Sequence, residues 1–209
     1  MSSMQPVVIF DLPAQELRFH RNSGRLCLDF VATVGERRRR CFERLRSPED
    51  LSRWIAETGM LAEPPEVSAR QLAAGRQLRE AINRLARPDL SALPGDLQEL
   101  NRWAARPALA PQLCADGRRA WIAPRPVEAM LATIARDAVD LLSGPLAGRI
   151  RECSAPDCAL LFVDASRPGR RRWCASEACG NRARTRAYRR RRGADPAGVR
   201  RPAPSKAST

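Results

Sequence analysis

Four cysteines near the C-terminus have the spacing of a metal site. They are Cys153, Cys158, Cys174 and Cys179, two pairs with four residues inside each pair and 15 residues between the pairs. A structural zinc ion takes four soft ligands at tetrahedral corners, commonly as two close pairs joined by a loop. The pattern therefore predicts one Zn²⁺ held by these four thiolates. The segment is too short to bury much apolar surface, so we expect the metal to supply much of its folding free energy.

Two other interpretations of these cysteines stay open on the spacing alone. An iron–sulfur cluster also takes four thiolates, and a cysteine without a metal is commonly a small buried apolar residue. We expect the second interpretation for Cys27, Cys41 and Cys114, which show no such pairing. For the C-terminal four, the two equal spacings and the absence of any redox-partner signature favour zinc.

The stretch after the third cysteine predicts a helix with a basic surface. Ser176 is placed to cap a helix that runs from about residue 177 to 192, with Cys179 in its first turn. This helix offers almost nothing apolar to bury, so the metal is expected to hold its N-terminus against the rest of the finger. Ala187 and Tyr188 are expected to face inward, which leaves the outer surface to arginines.

Arginines on this helix and in the turn before it are the candidate nucleic-acid contacts. Asn181 is expected to cap the helix start or to contact adenine, and the capping role is the simpler one. The candidates on the helix are Arg182, Arg184, Arg186, Arg189, Arg190 and Arg191. Those in the turn before Trp173 are Arg167, Arg170, Arg171 and Arg172. Four thiolates on a divalent ion leave a formal charge of −2, so some of these arginines are expected to neutralise the metal site.

The distribution of charge points to a polyanionic partner for the C-terminal part. Residues 149–192 carry 13 Arg against 4 acidic residues, a net charge of +9, out of +14 for the whole chain. Residues 1–148 carry 21 Arg against 18 acidic residues and are close to balanced. A basic segment of this kind favours nucleic acid as the partner.

Several classes of protein fit the sequence poorly. His20 is the only histidine, and no base is visible beside the remaining cysteines, so we expect no enzyme. No apolar run is long enough to cross a membrane, and the N-terminal stretch does not resemble a secretory signal. The expected location is the cytoplasm, where thiols stay reduced and available to a metal.

The remainder of the chain predicts a mainly helical region with one hairpin. Apolar periodicity and capping signals indicate four helices, within residues 47–59, 68–88, 94–107 and 125–144. Asp116-Gly117 between two short apolar runs predicts a β-hairpin, and residues 24–34 form a buried strand or a short buried helix. The predicted fold class is α+β. We expect a helical domain at residues 1–148, a four-cysteine zinc finger at 149–192 and a disordered tail at 193–209. A treble-clef-like form is one candidate for the finger. The two folded parts are expected to fold separately.

The finger resembles the CGNR zinc-finger family. The tetrad is Cys179-Gly180-Asn181-Arg182, and residues 161–164, 166–167 and 171–174 also follow that pattern. The stretch GRLCLDFVATV, from residue 24 to 34, is similar to the ABATE-type domain that precedes such fingers. Two positions depart from these patterns: Ala32 and Pro168 stand where Asn is usual.

The resemblance implies a bacterial transcriptional regulator. Its finger would bind duplex DNA, and its N-terminal domain would sense a signal, with a small-molecule effector as the candidate. Two other functions stay open because phosphate attraction does not distinguish them: an RNA-binding module and a protein-interaction finger. The scarcity of exposed aromatic residues weighs against single-stranded RNA.

Overall fold

The computed structural model describes residues 9, 12–87 and 92–193 of the 209-residue chain. Over these ranges the fold is α+β, as predicted, with six α-helices and three two-stranded antiparallel sheets. The helices are α1 (Leu26–Val31), α2 (Pro48–Glu57), α3 (Ala69–Leu85), α4 (Asp96–Ala104), α5 (Pro126–Ser143) and α6 (Asn181–Gly193). The paired strands are β1 (Val34–Gly35) with β2 (Phe42–Glu43), β3 (Ala110–Leu113) with β4 (Arg119–Ile122), and β5 (Ile150–Glu152) with β6 (Leu161–Val163). Pro88, the predicted end of the second helix, and the predicted tail from residue 194 on lie outside the described residues.

The starts of the helices and the hairpin follow the local sequence signals. The Asp50 carboxylate accepts a hydrogen bond from the backbone N–H of Ser47 at 3.0 Å, which caps α2. Ser68 and Gln71 exchange equivalent bonds at the start of α3. The β3–β4 turn contains Gly117 in the left-handed region at φ +78°, where glycine is favoured. The apolar run after residue 24, which allowed a strand or a helix, forms the short helix α1.

Helix α5 lies at the centre of the apolar core and packs against α1, α3 and α4. Phe30 of α1 and Trp54 of α2 extend this core, with ring centroids 4.8 Å apart. Helix α4 contributes Leu100 and Trp103, whereas Leu97 is 57 % exposed. Helix α4 therefore buries only a narrow side. None of the described helices is long and apolar enough to cross a membrane.

A buried ion pair joins α3 to the first small sheet. Arg79 is 1 % exposed and donates to both carboxylate oxygens of Glu43 at 2.7 Å, and also to Thr33 Oγ1 at 3.1 Å. Its Nε bonds to Glu80, which in turn pairs with Arg37. Each charge in this set has an opposite partner, so burial of the guanidinium is compensated.

Strand β6 lies between the helical core and the cysteines. Side chains alternate along a strand, and Leu161 and Val163 belong to the apolar core of the helices, whereas Phe162 packs with the four cysteines. The N–H of Val163 donates to the Ser23 carbonyl at 2.8 Å, ahead of α1. The finger therefore contributes two side chains to the helical core, and this packing favours joint folding over the separate folding that the sequence predicts. The boundary between residues 148 and 149 stays a prediction.

Candidate metal centre and nucleic-acid interface

The four C-terminal cysteines come together at one point. Cys153 follows β5, Cys158 lies in the turn before β6, Cys174 ends the next loop, and Cys179 lies in a wide helical turn, Ser176–Gly180, that leads into α6. All four Sγ atoms lie within 4.8 Å of one another. Two of the separations, Cys158 to Cys174 and Cys174 to Cys179, are 3.6 Å. A zinc tetrathiolate with Zn–S bonds of about 2.3 Å has sulfurs about 3.8 Å apart, so the four thiols fit Zn²⁺.

The surroundings of the sulfurs are dry and apolar. The four cysteines are 3–8 % exposed. Phe162, Leu160 and Ala155 of the finger pack on them, and Trp173 lies against the edge of the cluster. Ala32, which belongs to the helical part, also contacts this cluster. Exclusion of water keeps such a site closed, as in structural rather than catalytic zinc centres.

The four thiols interact strongly with one another. Hydrogen bonds among the sulfurs lower the pKa of the Cys153 thiol and raise those of Cys158 and Cys174. Arg182 Nη2 lies 3.1 Å from Cys179 Sγ. Burial lowers the pKa of Arg182, but the charge and hydrogen bond of Cys179, together with the charges of Asp157 and Cys158, outweigh burial, and the pKa of Arg182 is raised overall. A metal binds the deprotonated thiol, and the guanidinium of Arg182 favours that form at Cys179.

The loop between the cysteine pairs is held by its own polar groups. Asp164 accepts the N–H of Ser166 at 3.0 Å and that of Arg171 at 2.8 Å. Gly169 stands in the left-handed region at φ +62°, where glycine is favoured, and the chain turns back there. The loop therefore presents Arg167 and Arg170 outward from a fixed base.

Helix α6 extends from the metal cluster and is tied to it at its first turns. The Asn181 side chain donates to the Glu177 carbonyl at 2.8 Å, a local helical contact. Arg186 pairs with Asp157, between the first two cysteines, at 3.1 Å. Tyr188 is 55 % exposed, so the prediction that it faces inward was wrong, because no second layer of the described chain covers this side of the helix. Ala187 is half-buried, and the side chain of Ser176, the predicted cap, lies outside what the structure describes.

The structure sorts the predicted arginines into two groups. Two are engaged within the finger: Arg171 donates to the carbonyl oxygens of Trp173 and Cys174, and Arg182 donates to sulfur. Arg182 is nevertheless an exposed residue, and the other exposed ones are Arg167, Arg170, Arg172, Arg184, Arg186 and Arg189. Arg184 also bonds to Asn181. The side chains of Arg190 and Arg191 lie outside the described part of the chain.

A shallow groove runs along one side of α6. It has a volume of about 370 Å³, and its lining residues are Glu177, Ala178, Asn181, Arg182, Thr185, Arg186 and Arg189. Residues three, four and seven positions apart share one face of a helix. Arg182, Thr185, Arg186 and Arg189 therefore form one polar, mainly cationic face; we call it the groove face.

Two residues that contribute to the metal centre have no signal in the sequence. Asp157 joins the first cysteine pair to α6, but a single carboxylate in a turn is common in any sequence. Arg44 lies far away in the chain, and nothing in its neighbourhood in the sequence, CFERLR, indicates a contact with the finger. It is nevertheless 4 % exposed and donates to the carbonyl of Ala32, which packs on the cysteine cluster.

Two knuckles of buried thiols followed by a basic helix define a C-terminal zinc finger. The model of the CGNR zinc-finger family matches residues 149–192, and the model of the ABATE family, described as "Putative stress-induced transcription regulator", matches residues 24–145. The chain belongs to the ABATE family and carries a CGNR zinc finger, which confirms both resemblances. A comparison with curated proteins finds no match to this chain. The predicted zinc site is likewise confirmed by the finger family and by the four cysteines positioned for one ion.

Proposed function

We propose that the protein is a zinc-dependent transcription regulator that acts in the cytoplasm and binds duplex DNA through helix α6 and the loop before Trp173. The observation that carries the proposal is the groove face: a row of arginines on a helix whose N-terminal end is fixed by a buried metal site. The family description supports a role in transcription regulation. We propose no catalytic activity, since the paired thiols serve the metal.

Some of the arginines stabilise the metal site, and others are placed to bind DNA. Arg182 faces sulfur at the inner end of the groove face, so its charge serves the metal site first. Arg189 lies further along the same face and is exposed, and Arg167 and Arg170 extend the cationic surface from the loop. Arginines held at fixed spacing match the row of phosphates along a duplex, and phosphate contacts set the position of a protein on DNA. Arg186, half-exposed beside Asp157, is placed for either a phosphate or a base edge.

For the N-terminal part, we propose a sensing role centred on the start of α1. A cavity of about 310 Å³ there is lined by Leu26, Asp29, Trp54 and Asp137, among others. Asp137 accepts the N–H of Cys27 at 2.8 Å, so a ligand in the cavity would act on α1. Helix α1 ends directly before Ala32, which contacts the cysteine cluster. An effector could thus alter the finger through one short helix.

A second candidate function is binding of single-stranded RNA. The observation that favours it is the exposed ring of Tyr188 on α6, since aromatic side chains stack on unpaired bases. One tyrosine is a small stacking surface beside the long cationic face, and duplex DNA remains the preferred partner.

The test is a salt series of binding to a labelled 20-base-pair duplex, read by fluorescence anisotropy on the reduced, zinc-loaded chain. Phosphate contacts release counterions, so the logarithm of the affinity should fall linearly with the logarithm of salt, by about 0.9 per contact. The double variant Arg186→Gln/Arg189→Gln should bind more weakly, and its salt slope should be smaller by the amount expected for about two phosphate contacts. Arg170→Gln should lower it by about one.

The matched control removes the same charge from elsewhere. Arg70 and Arg118 are exposed residues of the helical part and lie outside the finger, so the variant Arg70→Gln/Arg118→Gln should keep the wild-type slope. An equal loss in both double variants would mean that only net charge attracts the DNA, and the proposal would fail. A preference for single-stranded RNA that Tyr188→Ala removes would support the second candidate instead.

A further inference from the structure

Arg44 is a buried cation that the helical part of the chain places beside the zinc finger. It follows β2, and its guanidinium stacks on the ring of Phe42 at 4.7 Å from the centroid. Its Nε donates to the Glu16 carbonyl at 2.7 Å, and its Nη1 donates to the Ala32 carbonyl at 3.0 Å. Ala32 itself packs with the cysteines. The charge is therefore fixed in direction and held next to the metal cluster.

Within the described ranges, Arg44 makes no ion pair with a carboxylate. The negative charges that raise the pKa of Arg44 are, in order of their effect, those of Glu16, Cys158, Glu43 and Glu36. The Glu16 carboxylate is already paired with Arg40 at 2.6 Å. Burial lowers the pKa of Arg44 to about 10, so the side chain is still protonated at neutral pH. Glu43 is paired with Arg79, and Glu36 is paired with Arg40. A buried positive charge without a partner is strongly unfavourable, and among these groups the sulfur of Cys158 is the one that no other arginine in the described part of the chain pairs with.

The formal negative charge of the zinc centre exceeds what one cation can neutralise. Four thiolates on Zn²⁺ carry a formal −2, and Arg182 supplies one positive charge from within the finger. Arg44 supplies a second positive charge, which is buried, whereas Arg182 and Arg171 approach the cluster from the side of the finger. His20 also faces Arg44, at 3.4 Å, but burial and the charges of Arg44 and Arg182 lower the pKa of His20 to about 4. It is uncharged at neutral pH and adds nothing to this balance.

We propose that Arg44 is a positioning residue of the zinc centre: it neutralises the metal thiolates from outside the finger, together with Arg182 from inside. The zinc site is then assembled from both parts of the chain, and the metal fixes the finger against the helical part as well as closing the finger itself. This role in metal affinity does not depend on what α6 binds.

The test measures zinc affinity of the reduced, full-length chain by competition with a chromogenic chelator. Arg44→Met keeps the apolar stem and removes the charge; groups around a metal site that are lost in this way typically weaken its affinity about 10- to 100-fold. Arg44→Lys keeps the charge and loses the guanidinium hydrogen bonds, so it should stay within about threefold of wild type. Arg40→Met is the matched control, because Arg40 also stacks on Phe42 and contacts Glu16 but pairs with carboxylates. It should leave zinc affinity unchanged.

Three results would overturn the proposal. The first is an Arg44→Met variant that binds zinc as tightly as wild type. The second is an Arg44→Lys variant that loses as much affinity as Arg44→Met, which would assign Arg44 a purely structural role. The third is an equal loss in Arg40→Met. If Arg44→Met does not fold even with excess zinc, as judged by circular dichroism, the Arg44→Lys variant decides alone: affinity near wild type supports the proposal, and a loss of tenfold or more contradicts it.

Discussion

Removal of zinc is expected to destabilise the helical part of the protein as well as the finger. Leu161 and Val163 of β6 are 2 % and 4 % exposed within the helical core. Full burial of a Leu or Val side chain contributes about 1.5–3 kcal/mol, so release of this strand costs the core about 3–6 kcal/mol. For a chain of this size, each kcal/mol shifts the melting temperature by about 2–4 °C. The helical signal of the zinc-free chain should therefore melt roughly 6–24 °C lower than that of the zinc-loaded chain.

The assay is thermal melting followed by far-ultraviolet circular dichroism, with and without excess chelator under reducing conditions. A ligand stabilises whatever unit unfolds when it leaves, so a shared core predicts one transition that moves with zinc. Cys158→Ser should melt low whether or not zinc is added, and the control Cys114→Ser should behave as wild type. A helical transition that stays within about 2 °C on chelation, with a separate small transition for the finger, would refute the reasoning.

Two further predictions follow from the buried ion pairs. Arg79→Met leaves the buried Glu43 carboxylate with only the longer contact to Arg76 at 3.6 Å. It should lower the free energy of unfolding, measured with urea, by about 3 kcal/mol, the lower end of the range for a broken buried pair. Arg118→Met, at an exposed pair, should change this free energy far less; equal changes would contradict the account. Burial raises the pKa of Glu80, but Arg37 and Arg79 outweigh burial and bring it to about 2. The unfolded chain thus binds more protons between about pH 4.5 and pH 2, so the stability that Glu80 contributes is present above that window and is lost as the pH falls through it. The stability difference between wild type and Glu80→Gln should shrink over that window, and a constant difference would speak against the pairing.

Local signals in the sequence were sufficient for most elements and for the metal ligands. Helix starts depend on side chains within three or four residues, as at Ser47 and Ser68, so they can be recognised without knowledge of the fold. The paired cysteines can also be recognised from a short stretch of sequence, because each pair must bring two sulfurs to one ion across only a few residues. The hairpin at Gly117 depends only on its turn.

Features set by distant parts of the chain could not be predicted in this way. Arg44 has no distinguishing feature in the sequence, and only the folded chain shows that it lies near cysteines more than 100 residues further on. For strand β6, nothing in residues 161–163 indicates that one face contacts the helices and the other the metal cluster. Tyr188 was placed inward because helices usually bury their aromatic residues, and whether a second layer covers that side is a property of the tertiary structure.

The central claim is that zinc holds a helix in the form that binds duplex DNA. The most direct measurement adds zinc stepwise to the reduced, metal-free chain in the presence of a labelled 20-base-pair duplex and follows anisotropy. We predict that binding rises with zinc and levels off at one equivalent per chain, and that Cys158→Ser shows no such rise. Equal binding of the duplex by the metal-free chain at the same salt concentration would contradict the claim.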